Sequence, residues 1–291
     1  MSINRRDFLR NSSFAAIGLS VPFLSKANFL DAAAGLKIPN FGIQLWTVKE
    51  NMMEDAKGTL AILASFGYKQ IESYEGPQGM FWGMGHTGFK SYLDSLGMKI
   101  VSSHCDNLTD FDKKSEQAAA IGMQYLICPH KGPQKSLDNY KAFADEFNVS
   151  GKIAKKHGIK FAYHNHDYSF KKINGVYPQD ILMQETDPNL VCFEMDIYWV
   201  VTAGENPLEW LKKYPGRFEL SHIKDRSQSP INKDNFESVD LGTGSIDFRQ
   251  LLPQAKKLGL QYLFMEQEFY PGGSPMNAAA TGATYLKKIK F

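Results

Sequence analysis

Five stretches of the chain repeat one pattern of apolar and polar positions. LASFGYKQIES (63–73), LDSLGMKIVSS (93–103), AAIGMQYLICP (119–129), AKKHGIKFAYH (154–164) and AKKLGLQYLFM (255–265) each read helix end, glycine, apolar residue, lysine or glutamine, strand. Gly67, Gly97, Gly122, Gly158 and Gly259 fit the left-handed position that closes a helix without a Cβ clash. The β-rich run after each glycine then enters a sheet. Three further strands lack that connector: FGIQLW (41–46), LVCFEMD (190–196) after Asp187-Pro188-Asn189, and RFELSHI (217–223) after Tyr214-Pro215-Gly216. Helical stretches lie between the strands, for example Met53–Phe66 and Asn139–His157. Alternating βα units demand a mostly parallel sheet. Eight such units in roughly 260 residues is the size of a (β/α)8 TIM barrel, the α/β fold expected here as a single domain over residues 35–291. A doubly wound open sheet is the rival, and its one support is GMGHTG (83–88), which matches G-x-G-x-x-G. That segment follows no strand and has no obvious helix start, so it reads as a flexible loop and not a nucleotide site.

The first residues carry an address instead of a fold. Asn4-Arg5-Arg6-Asp7-Phe8-Leu9-Arg10 resembles the twin-arginine export signal, and an apolar run from Phe14 to Leu24 follows. Ala27 or Ala32-Ala33-Ala34 offers small residues for cleavage. The run is too short to span a bilayer, which takes about 20 apolar residues. Residues 1–34 are therefore expected to be an export signal and linker, and the mature protein periplasmic or otherwise exported, with no membrane span.

Composition then narrows the partners. Hydrophobic residues are 43% of the chain and charged residues 22%, and no linker-like tract divides the mature part, which favours one core. The formal charge is +2; residues 1–27 carry four basic side chains and one acidic, so without them it is −1. A near-neutral protein has no basic footprint for nucleic acid. Cys105, Cys128 and Cys192 are too few for a disulfide scaffold. Each sits in or beside an apolar run and reads as a buried structural thiol.

Four strands in the second half run out into metal-ligand chemistry: FAYHNH (161–166), CFEMD (192–196), ELSHIK (219–224) and LFMEQE (263–268). Strand C-terminal ends are where such a barrel places its active site. One residue from each gives His164, Asp196, His222 and Glu266, separated by 32, 26 and 44 residues, about one βα unit each. Nitrogen plus carboxylate oxygen suits Mn²⁺, Co²⁺, Fe²⁺ or Zn²⁺ better than Ca²⁺. Two neutral imidazoles and two carboxylates balance a doubly charged ion, which eases its burial.

The order YHNHD, EMDIYW, HIKD, GTGSIDF (242–248) and MEQE resembles the xylose-isomerase-like barrel superfamily of sugar isomerases and epimerases, which also has a DNA-repair endonuclease branch. The resemblance covers essentially the whole mature chain. It implies one catalytic divalent metal, often Mn²⁺, held by strands five to eight, with Asp196, His222 and Glu266 as the ligands of strands six to eight. It also implies side-chain bases that move a proton between carbons of a sugar. Strand five departs from the better-known epimerase pattern, because His164 stands where those enzymes have a glutamate that is both ligand and base. The two-glutamate epimerisation is thus put in doubt. His166 points to the same side if the strand continues, as base or as ligand in place of His164. Glu268 stands in the same relation to Glu266, and both residues can instead orient the ligands. Glu194 reads as a deeper polar residue of the barrel.

The opposite half of the mouth supplies further candidates. Glu72 ends strand two, His104 ends strand three and is the first choice for a substrate contact with a catalytic part, and His130 follows strand four. Lys224 and Arg226 lie where a cation could neutralise an oxyanion. Trp46, Trp82 and Trp199 could stack on a sugar ring, although such aromatics also pack barrel rims. The chemistry that fits is proton abstraction beside a carbonyl, on a non-phosphorylated carbohydrate since no phosphate loop is visible. An isomerase or epimerase is expected first, a lyase or dehydratase next, and a non-catalytic metal-dependent sugar binder after it. A DNA-repair nuclease would want more ligands and a basic groove. Assembly of copies into an oligomer is left open.

Overall fold

The connector glycines do what their position demands. Gly67, Gly97, Gly122, Gly158 and Gly259 all hold positive φ, from +66° to +116°, and each turns a helix into the next strand. In the computed structural model the described residues are 38, 40–231, 235–271 and 273–289, so the export signal expected in residues 1–34 lies outside them. Among the described residues no helix is long and apolar enough to cross a membrane.

The eight expected strands are all present: β1 (Gly42–Gln44), β2 (Gln70–Tyr74), β3 (Lys99–His104), β4 (Tyr125–Cys128), β5 (Lys160–His164), β6 (Val191–Asp196), β7 (Phe218–Ile223) and, after a two-residue hairpin β8 (Asp225–Arg226) and β9 (Ser238–Val239), β10 (Tyr262–Met265). They pair in parallel in chain order and close between β10 and β1, with Gly42 opposite Phe264. A Cβ at Gly42 would lie 2.4 Å from the Phe264 ring, so glycine there lets that ring fill the barrel. Val101, Tyr125, Ile127, Ala162, Cys192, Leu220 and Phe264 form this inner plug, distinct from the larger apolar layer between strands and helices.

Helices follow the strands and cover the outside: α1 (Lys49–Ser65), α2 (Gly85–Ser95), α3 (Phe111–Ala120), α4 (Leu137–Lys156), α5 (Pro178–Glu185), α6 (Ile197–Thr202), α7 (Pro207–Lys213), α8 (Phe248–Lys257) and α9 (Pro275–Lys288). Three expectations change. The GMGHTG segment is not a loop throughout, because α2 starts at Gly85. The first strand stops at Gln44, and Leu45–Val48 is a 3-10 turn. The first helix begins at Lys49 but is broken at Asp55 (φ −147°, ψ 90°), whose Oδ1 accepts from Gly58 N at 2.9 Å as a helix cap would.

Candidate metal centre

Polar side chains are stacked on the plug in two layers. The deeper one is built around Glu72 and Glu194, both fully buried. Register puts Gln44, Glu72 and Ser102 side by side on β1, β2 and β3. Gln44 Nε2 donates to Glu72 Oε1 at 2.9 Å and Ser102 Oγ to Oε2 at 2.6 Å. Across the barrel, His222 Nε2 lies 2.6 Å from Glu72 Oε1. Glu194 Oε2 sits 2.8 Å from His104 Nε2 and 3.0 Å from His164 Nδ1. Burial, then the neighbouring Glu72, push the Glu194 carboxyl up to about 7. Burial opposes a charge on His104, but Glu72 and Glu194 outweigh it and raise this histidine above its ordinary value.

These contacts leave specific atoms for the upper layer. With one nitrogen of each ring engaged by a carboxylate, His222 turns Nδ1 and His164 turns Nε2 toward Asp196. Carboxylate–imidazole pairs of this kind fix the ring tautomer at metal sites. Asp196 is fully buried at the end of β6. Its Oδ1 caps α6 by accepting from Trp199 N at 3.1 Å, and Asn165 holds its backbone N and O, each at 3.2 Å. Oδ2 has no hydrogen-bond partner. It stands 3.7 Å from His222 Nδ1, 3.8 Å from Lys224 Nζ and 3.9 Å from His164 Nε2, too far for hydrogen bonds. Glu266 Oε2 completes the group at 3.1 Å from His222 Nδ1 and 3.3 Å from Lys224 Nζ. Donors held about 2.0–2.2 Å from one shared ion are spaced in this way. The residues therefore fit a first-row divalent cation, and the buried cluster could bind one.

Charge in the cluster is set by the same neighbours. Burial raises Glu266, but Lys224 and His222 beside it hold the carboxyl well below the usual range. Burial opposes protonated His222, yet Glu194 and Glu266 raise it well above the ordinary histidine value. Burial, reinforced by His222, keeps His164 neutral. Lys224, 1% exposed, bonds Glu266 and Glu268 and stays charged.

Above the centre opens a cavity of about 610 Å³ at the C-terminal mouth. His164, His166, His104, His130, Trp199 and Glu268 face it, with Lys224 and Glu266 at its foot. Of the four expected ligands, Asp196, His222 and Glu266 form one tight group; His164 belongs to a second, with His104, Glu194 and the shared His222, and its Nε2 lies 3.9 Å from Asp196 Oδ2. His166 follows the end of β5 and lies in the turn after it, its ring stacked on Tyr168 at 5.6 Å. Burial, then His130, push it down to about 3, and its Nδ1 has no partner. Three candidate substrate contacts lie away from the cavity. Glu72 is buried under the ligands because closure sets it against His222. Arg226 turns away to Thr202 and stacks on Phe236. Trp82 lies behind Tyr74, its Nε1 on Ser73. Cys105, Cys128 and Cys192 are buried free thiols; burial raises each one, and Cys105 also borders the cavity. Sequence reasoning missed Gln44, Ser102 and Asn165. The available signal was polar residues at inward strand positions, where an apolar plug would otherwise continue.

A closed (β/α)8 barrel with a buried imidazole–carboxylate centre under one deep cavity is an enzyme architecture. The chain belongs to the xylose isomerase-like TIM barrel family, whose model matches residues 60–289. An inosose dehydratase from Clostridium botulinum is 30% identical over 215 residues, 69% of this chain and 68% of that protein. A solved sugar phosphate isomerase/epimerase from Parabacteroides distasonis superposes with a TM-score of 0.72 at 27% identity, over 85% of this chain and 93% of that one. The IolI protein, solved with a bound zinc atom, shares the fold at a TM-score of 0.66 and 18% identity, over 87% and 99% of the two chains. The dehydratase and the isomerase/epimerase among these relatives are enzymes.

Proposed function

We propose that the protein is a divalent-metal-dependent dehydratase of an uncharged keto-carbohydrate, one that removes the proton beside the carbonyl and expels a β-hydroxyl as water. The observation that carries the metal is Asp196 Oδ2, buried without a hydrogen bond among three nitrogens. His164, Asp196, His222 and Glu266 would hold the ion, which when bound supplies Lewis acidity to a carbonyl oxygen. Glu268, an exposed carboxylate lining the cavity, is bonded to Lys224 and lies 3.2 Å from Trp46 Nε1, and is assigned as the base. His104, raised above its ordinary value by Glu72 and Glu194 against the effect of burial, is placed to give a proton to the departing hydroxyl. His166, neutral and with Nδ1 unpaired, orients a substrate hydroxyl. His130 and Trp199 line the walls against which the ring rests.

Elimination is favoured over epimerisation by the named dehydratase relative and by a histidine where a second glutamate base would stand. Isomerisation or epimerisation is the second reading, supported by the Parabacteroides structure. A phosphorylated substrate fits poorly, since Lys224, which lines the cavity, is already paired with Glu266 and Glu268. Incubating metal-loaded protein with an inosose and with keto-hexoses in D₂O tests the reading. We expect a product lacking one water and a loss of about 10²–10⁴ in rate for Glu268→Gln. Absence of deuterium from both product and recovered substrate across the panel would falsify it. A product of unchanged composition would select the second reading. We also propose export through residues 1–34, expected to fail in Arg5→Lys/Arg6→Lys on fractionation of cells.

A further inference from the structure

Beside the central cavity lies a second groove of about 900 Å³, between the first helical piece of α1, Lys49–Glu54, and the loop from Tyr74 to Pro77. The two spaces share one wall, formed by Trp46, Tyr74 and Glu75. We propose that this groove is a second sugar subsite, so that the substrate is a disaccharide-sized glycoside: its reacting ring lies over the metal centre and its second ring lies against Trp46 and Met53. The proposal rests on the carbohydrate reading above and adds the substrate's size.

Space is the first argument. A cavity of about 610 Å³ already accommodates a small ligand, so one ring leaves the groove unused. The second argument is its surface. Trp46 is 38% and Met53 45% exposed, among the few large apolar side chains on the described surface that are. Carboxylates of Glu50, Glu54 and Glu75 surround them, while the neighbouring Lys49 lies 3.8 Å from Glu50. An apolar platform ringed by hydrogen-bond acceptors suits the C–H face and the hydroxyl donors of a neutral sugar. It disfavours an anionic extension.

Preorganisation is the third. The Trp46 ring meets Tyr74 edge-on at 5.0 Å, its Nε1 lies 3.2 Å from Glu268 Oε1, and the Lys49 ammonium sits 4.6 Å from its centroid. A half-exposed indole held by three contacts loses little freedom when a ring settles on it. Its bond to Glu268 also ties the groove to the reacting centre. Lastly, the 49–54 piece is set off from the rest of the helix by the break at Asp55; fully buried Met52 and the hydrogen bond from Thr59 Oγ1 to Asn51 O at 3.0 Å help to anchor it. It is a rim element whose outward face forms the groove wall.

Calorimetry on the metal-loaded full chain with glucose and with α- and β-linked glucose disaccharides reads the groove without turnover. At least one disaccharide is expected to bind about tenfold tighter than glucose, and Met53→Asp to erase that difference. Equal affinity for glucose and every disaccharide overturns the subsite. So does a Met53→Asp variant, folded by circular dichroism, that keeps the full preference. Turnover separates this failure from that of the functional reading. If keto-glucose and the corresponding keto-disaccharides react with equal kcat/KM, the subsite falls and the dehydratase stands. If the disaccharide preference is present but no sugar exchanges its proton, the subsite stands as a binding site and the chemistry falls.

Discussion

At the level of single residues, the centre is governed by where carboxylate oxygens find partners. Asp196 Oδ2 finds none, and a buried unpaired oxygen costs roughly 1–3 kcal/mol unless an ion occupies its neighbourhood. Asp196→Ala is expected to abolish stoichiometric metal in purified protein, measured by elemental analysis. Glu194 acts one step back, by holding the His164 ring. Glu194→Gln keeps the shape but replaces a carboxylate oxygen with an amide, and should weaken metal about 10–100-fold in a competition titration against a chromophoric chelator. An unchanged affinity would remove Glu194 from any positioning role. Lys224 neutralises Glu266 and Glu268 from within the protein. Lys224→Met should therefore destabilise the metal-free form by about 3–5 kcal/mol, with metal recovering part of the loss in urea titrations.

At the level of elements, the turns that carry the strands to the site tolerate little. Gly158 and Gly259 occupy the same place in two connectors, with φ +79° and +116°. A Cβ at Gly158 meets nothing within 4 Å, whereas at Gly259 it would stand 2.7 Å from Gly216 Cα. Gly158→Ala is expected to cost about 1–2 kcal/mol from backbone conformation alone. Gly259→Ala should cost about 3 kcal/mol or more, because two turns must separate; equal denaturation midpoints would contradict this. The GTGSIDF segment has a similar logic. Its Gly242, Gly244 and Ile246 amides donate to buried Asp225 at 2.9, 3.0 and 3.2 Å. A Cβ on Gly244 would fall 2.2 Å from Asp225 Oδ1. Gly244→Ala should loosen the loop, at a cost of about 2 kcal/mol.

At the level of the whole molecule, the site joins strands from every side of the barrel, so an ion bound there stabilises the entire fold. Metal at about a hundredfold above its Kd adds roughly 2.7 kcal/mol. Chelation should therefore lower Tm by about 5–10 °C, and calorimetric scans with and without EDTA check this. A Tm indifferent to chelator would separate the centre from metal altogether. Much of this architecture was legible in the chain. The strand count, the five glycine connectors and the strand-end residues His164, Asp196, His222 and Glu266 follow from short-range rules of helix capping and strand alternation.

Those rules run out where contacts become long-range. Glu72 and His222 are 150 residues apart and meet only because β10 closes on β1. Two irregularities in register, between β2 and β3 and between β6 and β7, change which residues stand side by side there, and a one-residue slip turns a side chain to the other face. Sequence alone thus determined that imidazoles and carboxylates would gather at the mouth of an eight-stranded barrel. Tertiary structure decided which oxygen faces which nitrogen, that Glu72 lies beneath the centre and Arg226 away from it, and that a broken first helix opens a groove beside the cavity. Closure and register are set by packing across the whole ring of strands, which no local pattern encodes.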